Sequence, residues 1–439
     1  MERMLMTSLK KSDIKLTASL NAVIAQYHNL PYTSRYDHLI DRVASLNENN
    51  VAEAMKELRS TFSHRHLHFE DMLLRHFNHL EINHGHDKSF NSYSTERKLL
   101  LGSYVTKEYS FQSAALFNPS IVAHPDQHNL KDGELRFVMS LRATGEGHIS
   151  SILFRTGIIT ENGTIKLDEI SGYYTPLKPI TPQQPNSVST NCDLQIGLPE
   201  INYDLIPFHD LPMTEKVLFP TALSERNGME DLRMVKFTDG DNSVYYGTYT
   251  AYDGIRIRTM LMETDDFNTF RIRSIHGDAI DDKGMALFPE KINGRYVICS
   301  RQGSEILSIM FSEDLYQWNS YQLLTVPLYD WEFVQIGNCG SPIKTKRGWL
   351  LLTHGVGPMR KYMIGAILLD LKDPTKIIGR LKEPLLSAGE IEREGYVPNV
   401  VYTCGAMLHG KWLIIPYAIS DTSTVVASVE LEEILNAMV

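Results

Sequence analysis

A repeated pattern of short strands after about Gln112 constrains the fold more than any other feature of the chain. In each repeat a strand meets a turn, a second strand ends in polar residues, and a third strand leads to an acidic or polar turn. The repeats lie at 135–158, 234–270, 287–318, 341–374 and 400–434. Units of this kind bury their faces only against neighbouring units, which predicts a mainly β protein with a five-bladed β-propeller. A β-sandwich is the structural alternative.

The beginning of the chain has a different period. Between residues 13 and 80 apolar side chains recur at steps of three and four, which is typical of amphipathic helices. Pro31 and the Asn-rich stretch 47–50 are expected to separate about three helices. We therefore predict an α-helical segment over 1–100 and a five-bladed β-propeller domain over 101–439.

Composition excludes several classes of protein. The net charge of −10 argues against a nucleic-acid-binding surface, which needs clustered Lys and Arg. The first residues carry no continuous apolar run of a secretory signal, and no apolar stretch is long enough for a membrane helix. We therefore expect a cytoplasmic protein with no membrane partner. The four cysteines are too far apart for a zinc motif and are expected to be buried thiols: Cys192, Cys299, Cys339 and Cys404.

Polar residues at equivalent places in the repeats should converge, because a propeller gathers the same end of every blade around one channel. The candidates are Arg142, Glu146, His148, Glu230, Asp231, Arg233, Lys283, Arg301, His354 and Asp421. Carboxylates for proton transfer beside several cations suit a sugar substrate with an anionic co-substrate. Structural interpretations compete: Asp231 could pair with Arg233 at a strand edge, and His354 could be a core histidine. Lys283 and Arg301 could be solvated surface charges.

A cluster of histidines lies in the helical segment: His64, His66, His68, His76, His79, His84 and His86. On a helix His64 and His68 would share a face, and so would His76 and His79. No HExxH or comparable ligand pattern is present. We therefore predict no metal site here, but a partly exposed, pH-sensitive surface.

Seven stretches, in this order and spacing, resemble family 130 of the glycoside hydrolases, which comprises mannoside phosphorylases and β-mannosidases. They are FNPSIV (117–122), SLRATGEGHISS (140–151), MEDLR (229–233), ALFPEKINGRY (286–296), CSR (299–301), GWLLLTHGV (348–356) and VPNV (397–400). The likeness runs from about Phe117 to the C-terminus and leaves out the helical segment. It implies a five-bladed propeller and a reaction that inverts the anomeric carbon.

The resemblance also implies roles for individual residues. Asp231 stands where the family has the Asp of an Asp-Pro-Arg motif, with Leu232 in place of the proline, and would be the general acid. Its proton would reach the glycosidic oxygen through a mannose hydroxyl while the nucleophile attacks from the opposite face. Phosphate would be held by Lys283, Arg301 and His354, and the sugar by Asn118, Arg142, Arg233 and Asp421. Two positions depart from the family's phosphate-binding pattern: Gly284 replaces an Asn and Gln335 a Lys.

The sequence thus predicts an inverting β-mannoside phosphorylase that cleaves β-linked manno-oligosaccharides with inorganic phosphate and gives mannose 1-phosphate. An inverting β-mannosidase, including one for β-1,2 linkages, is the alternative, with Glu332 or Glu230 as its base, because water needs a general base and phosphate does not. A propeller that binds glycans without cleaving them is the third hypothesis. We expect no metal or organic cofactor. The helical segment is expected to supply part of the pocket wall or a contact in a homo-oligomer.

Overall fold

Four of the five α-helices in the described residues occupy one stretch near the start of the chain, and strands make up most of the rest. The computed structural model describes residues 9–84, 90–180, 202–280 and 282–439. Its helices are α1 (Thr33–Ala44), α2 (Glu48–Phe62), α3 (Phe69–His84), α4 (Thr95–Tyr104) and α5 (Leu431–Asn436). In these described ranges no helix combines the length and the apolar character needed to cross a membrane.

The helices begin where polar side chains can cap them. The Asn47 side chain accepts a hydrogen bond from the Asn50 backbone N–H at 2.9 Å at the start of α2, and the Ser94 side chain caps α4. Arg97, on α4, is buried and donates to the carbonyl of Leu46 and to the carboxylate of Glu48. These bonds satisfy polar groups between α1 and α2 and fix α4 against both.

Strands follow one another in short antiparallel runs. In chain order they are β1 (Lys10–Leu16), β2 (Val23–Tyr27), β3 (Thr106–Ser110), β4 (Ala115–Ala123), β5 (Leu135–Thr144), β6 (Ser150–Ile159), β7 (Ile165–Leu167), β8 (Thr175–Pro176), β9 (Lys178–Ile180), β10 (Tyr203–Ile206), β11 (Lys216–Leu218), β12 (Gly228–Asp239), β13 (Asn242–Tyr252), β14 (Ile257–Thr264), β15 (Phe270–Ser274), β16 (Ala286–Leu287), β17 (Tyr296–Gln302), β18 (Ile306–Ser312), β19 (Gln322–Thr325), β20 (Gln335–Asn338), β21 (Ile343–Lys344), β22 (Trp349–Val356), β23 (Tyr362–Leu369), β24 (Ile377–Arg380), β25 (Leu386–Ser387), β26 (Val401–Tyr402), β27 (Met407–His409), β28 (Trp412–Ile419) and β29 (Ser423–Glu430). The protein is therefore mainly β, as predicted.

Five antiparallel sets of four strands contain most of these strands. The sets are β4-β5-β6-β7, β12-β13-β14-β15, β16-β17-β18-β19, β20-β22-β23-β24 and β26-β28-β29-β1. Each of the five sequence repeats falls in a different set. The first two sets are joined into one sheet by a parallel pairing of Gly228 with Ser150. Buried apolar clusters lie within and between the sets, which is expected when strands carry alternating or continuous apolar residues.

The strand β1 lies inside the segment that the sequence predicts to be helical. It pairs antiparallel with β29, so the start of the described chain completes the last set. Its side chains alternate between exposed and half-buried positions over most of its length, and this two-residue period is too short to stand out beside the helical pattern that follows. The predicted division at residue 100 stays a prediction, although two strands from before it pair with strands after it: β1 with β29 and β2 with β3.

The prediction that His64 and His68 share a helix face is wrong, because residues 63–68 lie between α2 and α3. His76 and His79 do lie together on α3, and both are buried. Burial, with nearby positive charge, lowers the pKa of His76 to about 3. That imidazole is therefore neutral at physiological pH and does not supply the predicted pH sensitivity.

Three cysteines are buried and free, as the sequence predicts: Cys299, Cys339 and Cys404. Burial raises the pKa of all three thiols, which keeps them protonated and unreactive. Cys192 and His86, both discussed from the sequence, lie outside the described residues.

Candidate active site

Asp231 lies at an irregularity in strand β12. The pairing of β12 with β13 shifts register between Glu230 and Arg233. The Asp231 backbone has a φ of +57°, a left-handed conformation that is uncommon for a residue with a side chain. Bulges and strained backbone of this kind are concentrated at functional sites. The residue is 8% exposed, so the irregularity holds a nearly buried carboxyl group.

Two side chains bind the same oxygen of that carboxyl. Asn118 Nδ2 donates to Asp231 Oδ1 at 2.6 Å, and Arg142 Nη1 does so at 3.2 Å. Burial alone would raise the pKa of Asp231, but the charges of Arg142, Arg233 and Lys283 outweigh it. Together with the amide hydrogen bond they lower the pKa to about 2. Asp231 is therefore ionised in the free protein at neutral pH.

Arg142 is held by contacts on several sides. Its Nη2 lies 2.7 Å from Glu230 Oε1, and its Nε donates to Ser150 Oγ at 2.8 Å. Its guanidinium carbon lies 4.9 Å from the centroid of the Phe117 ring. Burial opposes its charge, but Glu230 and Asp231 raise the pKa of Arg142. The arginine is thus a fixed cation that connects β5 with β6 and β12.

Asp421 is a second carboxyl near Asp231, with a different charge state. It lies in the turn between β28 and β29 and has a φ of +49°. Burial and the negative charge of Asp231 raise the pKa of Asp421 to about 6, although Arg142, Arg360 and Lys283 act in the opposite direction. Two neighbouring carboxyls with separated pKa values are a common arrangement where one group must hold a proton and the other a charge.

Arg233 connects Asp231 with the far side of the cluster. Its Nη1 donates to the backbone oxygen of Asp231 and its Nε to that of Cys339, both at 2.9 Å. Its Nη2 donates to the Tyr402 hydroxyl at 2.8 Å. The Tyr402 ring in turn meets His354 edge-on, with centroids 5.0 Å apart. Arg233 is 3% exposed, so its contacts with the protein are extensive.

The carboxylate of Asp282 binds both the Arg301 side chain and the Lys283 backbone. Arg301 Nε and Nη2 donate to Asp282 Oδ2 and Oδ1 at 3.3 and 3.2 Å. Asp282 also accepts from the backbone N–H of Lys283 at 2.7 Å and from the Ser304 hydroxyl at 3.0 Å. Burial raises the pKa of Asp282, but these partners lower it overall. The ionised Asp282 therefore fixes the orientation of Arg301 and the backbone that carries Lys283.

His354 lies on β22 and is 2% exposed. Its Nε2 is 2.9 Å from the amide nitrogen of Gln335. A Cβ atom at Gly337, on the adjacent strand, would lie 2.5 Å from His354 Cε1, so this strand must carry glycine there. Burial and the charges of Arg301 and Arg233 lower the pKa of His354 to about 3. The imidazole is therefore neutral and brings no positive charge to a bound anion.

The eight residues predicted to form a site come together in one cluster, and all five strand sets contribute. They are Asn118 on β4, Arg142 on β5, Asp231 and Arg233 on β12, Lys283 before β16, Arg301 on β17, His354 on β22 and Asp421 between β28 and β29. Hydrogen bonds and charges link them to one another. Their individual roles stay predictions.

Other sequence candidates have different surroundings. Glu332 is fully buried, accepts from the backbone N–H groups of Leu328 and Tyr329, and forms an ion pair with Arg380. These contacts argue against Glu332 as a base for water, because a base must reach a water molecule beside the sugar. Glu146 and His148 form a short turn between β5 and β6.

Two residues of the cluster were missed by sequence reasoning: Asp282, which binds Arg301, and Tyr402, which contacts Arg233 and His354. Asp282 could have been found from its position directly before Lys283. Tyr402 follows the VPNV stretch by two residues, so it lies next to a stretch that carries the family resemblance. Neither contact could be read from spacing, because Tyr402 and its partners come from different strand sets and Asp282 precedes Arg301 by 19 residues.

Known proteins are similar to this chain in sequence and in fold. Residues 186–439, more than half of the chain, match the family model of glycoside hydrolase family 130, described as beta-1,4-mannooligosaccharide phosphorylase. A 1,2-β-oligomannan phosphorylase from Thermoanaerobacter sp. (strain X514) is 39% identical over 222 residues, covering 48% of this chain and 71% of that protein. A β-1,2-mannobiose phosphorylase from the same organism is also 39% identical over 222 residues, with 50% and 72% covered.

A solved structure agrees with these relatives. The β-1,2-mannobiose phosphorylase from Listeria innocua, in complex with β-1,2-mannobiose, superposes with a TM-score of 0.52 and 25% identity. The superposition covers 74% of this chain and 92% of that chain. With the family match and the two relatives, it follows that the chain belongs to glycoside hydrolase family 130.

Proposed function

We propose that this protein is an inverting β-mannoside phosphorylase that cleaves β-1,2-linked manno-oligosaccharides with inorganic phosphate and releases mannose 1-phosphate. The observation that carries the proposal is a buried carboxyl, Asp231, surrounded by cations from its own and other strand sets: Arg142, Arg233 and Lys283. The relatives at 39% identity are named as phosphorylases of β-1,2-linked mannosides, which supports both the reaction and the linkage. Phosphate is a co-substrate in this reaction, and no organic cofactor is required.

The cations explain how a carboxyl with a low pKa could act as an acid. In the free protein the positive charges of Arg142, Arg233 and Lys283 hold Asp231 ionised. Bound phosphate brings negative charge that offsets those cations and raises the pKa of Asp231. The acid would thus take up its proton when the nucleophile is in place. In the proposed reaction this proton passes through a mannose hydroxyl to the leaving oxygen.

The bond changes balance without a base. A phosphate oxygen forms a bond to the anomeric carbon while the bond from that carbon to the glycosidic oxygen breaks, and the leaving oxygen receives the proton from Asp231. Attack from the face opposite the leaving group inverts the β-linkage and gives the α-phosphate. Because phosphate is already anionic, it must be held rather than deprotonated. Lys283 and Arg301 would supply charge for this, and neutral His354 would contact the phosphate without adding charge.

The hydrolase alternative has one observation in its favour. Gln335 stands where the family's phosphorylases are expected to have a lysine, and the structure places its amide beside His354. Hydrolysis, however, needs a base for water. Glu332 is enclosed in an ion pair with Arg380, and Glu230 is paired with Arg142. We therefore favour phosphorolysis.

We also propose that the five strand sets are the blades of a five-bladed propeller with the site at its centre. This arrangement would explain why residues far apart in sequence, from Asn118 to Asp421, act on one carboxyl. The pairing of β1 with β29 would close the last blade with a strand from the start of the chain. The helices between β2 and β3 would then form a separate appendage.

The test of this function is a comparison of substrates with and without phosphate. The purified protein is incubated with β-1,2-, β-1,3- and β-1,4-mannobiose, and mannose and mannose 1-phosphate are separated chromatographically. The proposal predicts mannose 1-phosphate only when phosphate is present, and fastest from the β-1,2-linked substrate. Mannose release that is independent of phosphate would instead establish the hydrolase. No cleavage of any substrate would favour the glycan-binding hypothesis.

A further inference from the structure

Two histidines and a carboxylate from distant parts of the chain meet at the start of α3. His68 directly precedes α3, Asp71 lies in its first turn, and His209 belongs to the segment between β10 and β11. One potential ligand atom of each lies within 4.8 Å of the others. These residues are separate from the Asp231 cluster. Two imidazole nitrogens and a carboxylate oxygen are a donor set that suits Zn²⁺.

The separations are near those of a coordinated ion. His68 Nδ1 lies 4.0 Å from Asp71 Oδ2, and His209 Nε2 lies 3.8 Å from the same oxygen. Ligands at about 2.0–2.1 Å from a tetrahedral zinc are about 3.3–3.4 Å apart. A contraction of about half an ångström therefore completes the geometry. The His68 and Asp71 side chains are 40% and 60% exposed, so they can rotate by this amount.

His209 has a polar atom that the protein leaves unsatisfied. Its Nε2 is buried and has no hydrogen-bond partner in the described part of the chain. The 3.8 Å separation from Asp71 is too long for a hydrogen bond. An unpaired buried polar atom costs free energy and calls for an explanation such as an ion. The neighbouring imidazole of His68 stacks on His209 with ring centroids 3.9 Å apart, which holds both rings beside the carboxylate.

The positive charge of Arg75 opposes the binding of a cation at these residues. Arg75 lies on the same helix as Asp71, and its charge reaches His209. Its guanidinium, however, lies over the Phe208 ring, 3.9 Å from the centroid, where the aromatic face stabilises the positive charge. The single carboxylate of Asp71 then remains to offset the ion. With three protein ligands the affinity is expected to be below that of a closed four-ligand zinc site.

We propose that His68, Asp71 and His209 bind one Zn²⁺ ion, with water as the fourth ligand. The ion fastens the start of α3 to the segment between β10 and β11. Its role is structural, because none of its ligands contacts the Asp231 cluster. The proposal does not depend on the reaction proposed above.

The test is zinc binding by the full-length protein after removal of metal with EDTA, followed by isothermal titration calorimetry with Zn²⁺. The variants are His209→Gln and Asp71→Asn, with His64→Gln as the matched control. His64 is an exposed histidine of the same segment and is not part of the set. We expect one equivalent of Zn²⁺ to bind the wild type and the control alike. Replacing a ligand should raise the Kd by more than about tenfold, since even outer-shell replacements cost 10–100-fold.

Thermal unfolding distinguishes this site from adventitious binding, since the chain has 16 histidines. Zn²⁺ should raise the Tm of the wild type and of His64→Gln but not that of the two ligand variants, because an ion that binds only the folded state stabilises it. The proposal is overturned if the EDTA-treated wild type takes up no zinc. It is equally overturned if His209→Gln and Asp71→Asn bind zinc and respond in Tm as the wild type does. Asp71 is exposed, so Asp71→Asn should fold even if His209→Gln does not.

Discussion

Replacing Asp421 with Asn should make the protein more stable at alkaline pH and less active. The folded state raises the pKa of Asp421 from 3.8 to about 6 through burial and the nearby charge of Asp231. Each pH unit of difference between the folded and unfolded pKa corresponds to about 1.36 kcal/mol. Ionised Asp421 therefore costs the folded state at most about 3 kcal/mol at pH 8. Solvent screening at this partly exposed side chain reduces the expected cost to about 1–2 kcal/mol.

The direction of the Asp421 pKa shift determines at which pH the variant is more stable than the wild type. Because the folded pKa lies above the unfolded value, the protonated carboxyl favours the folded state. That contribution is fully present below about pH 4 and is lost as the pH rises through 6. Asn has the shape of a protonated carboxyl and cannot ionise. The variant should thus be more stable than the wild type at pH 8 and equal to it near pH 4.

Urea unfolding at pH 4 and pH 8 measures this difference directly, with the same protein concentration and no phosphate. Phosphorolysis by the variant is measured in parallel, and a fall is expected because Asp421 is predicted to hold the sugar. A gain in stability at pH 8 together with a loss of activity would be the stability–activity trade-off that is common at active sites. A free-energy difference between variant and wild type that is the same at both pH values would refute the argument.

Three further substitutions test separate parts of the account. Asp231→Asn should lower kcat/KM for phosphorolysis by at least about 100-fold with an unchanged circular dichroism spectrum, since it removes the proton but keeps the shape; retained activity would contradict the assignment. Gln335→Lys should lower the KM for phosphate by about tenfold by adding a cation beside His354, and Gln335→Met, which adds no charge, should not. Arg380→Met should cost about 3–5 kcal/mol in urea unfolding by leaving Glu332 buried and unpaired, and a second change, Glu332→Leu, should recover most of that loss.

The sequence predicted the mainly β character and the helices because both depend on local patterns. Apolar runs such as Trp349–Val356 indicate strands wherever they pair, and the break predicted at 47–50 coincides with the start of α2 at Glu48. The partner of β1 could not be predicted in this way. Its hydrogen bonds go to β29, at the other end of the chain, and nothing local in either strand records that pairing.

At the site, too, the sequence indicated local features but not the contacts between distant residues. Residue types and order were enough to select Asp231 and the cations that lie near it, because the repeats and the resemblance both mark those positions. The charge states were not accessible from the sequence. The low pKa of Asp231 and the raised pKa of Asp421 depend on distances between residues from different strand sets. The ion pair of Glu332 with Arg380 was not accessible either, because the two residues are 48 positions apart in the chain.

The central claim is that phosphate itself attacks the β-mannoside. Phosphorus NMR of the protein with β-1,2-mannobiose and inorganic phosphate tests it most directly. The account predicts that the inorganic phosphate signal falls while a sugar phosphate signal rises by the same amount, and that the product is the α-anomer. Release of mannose with an unchanged inorganic phosphate signal would contradict it.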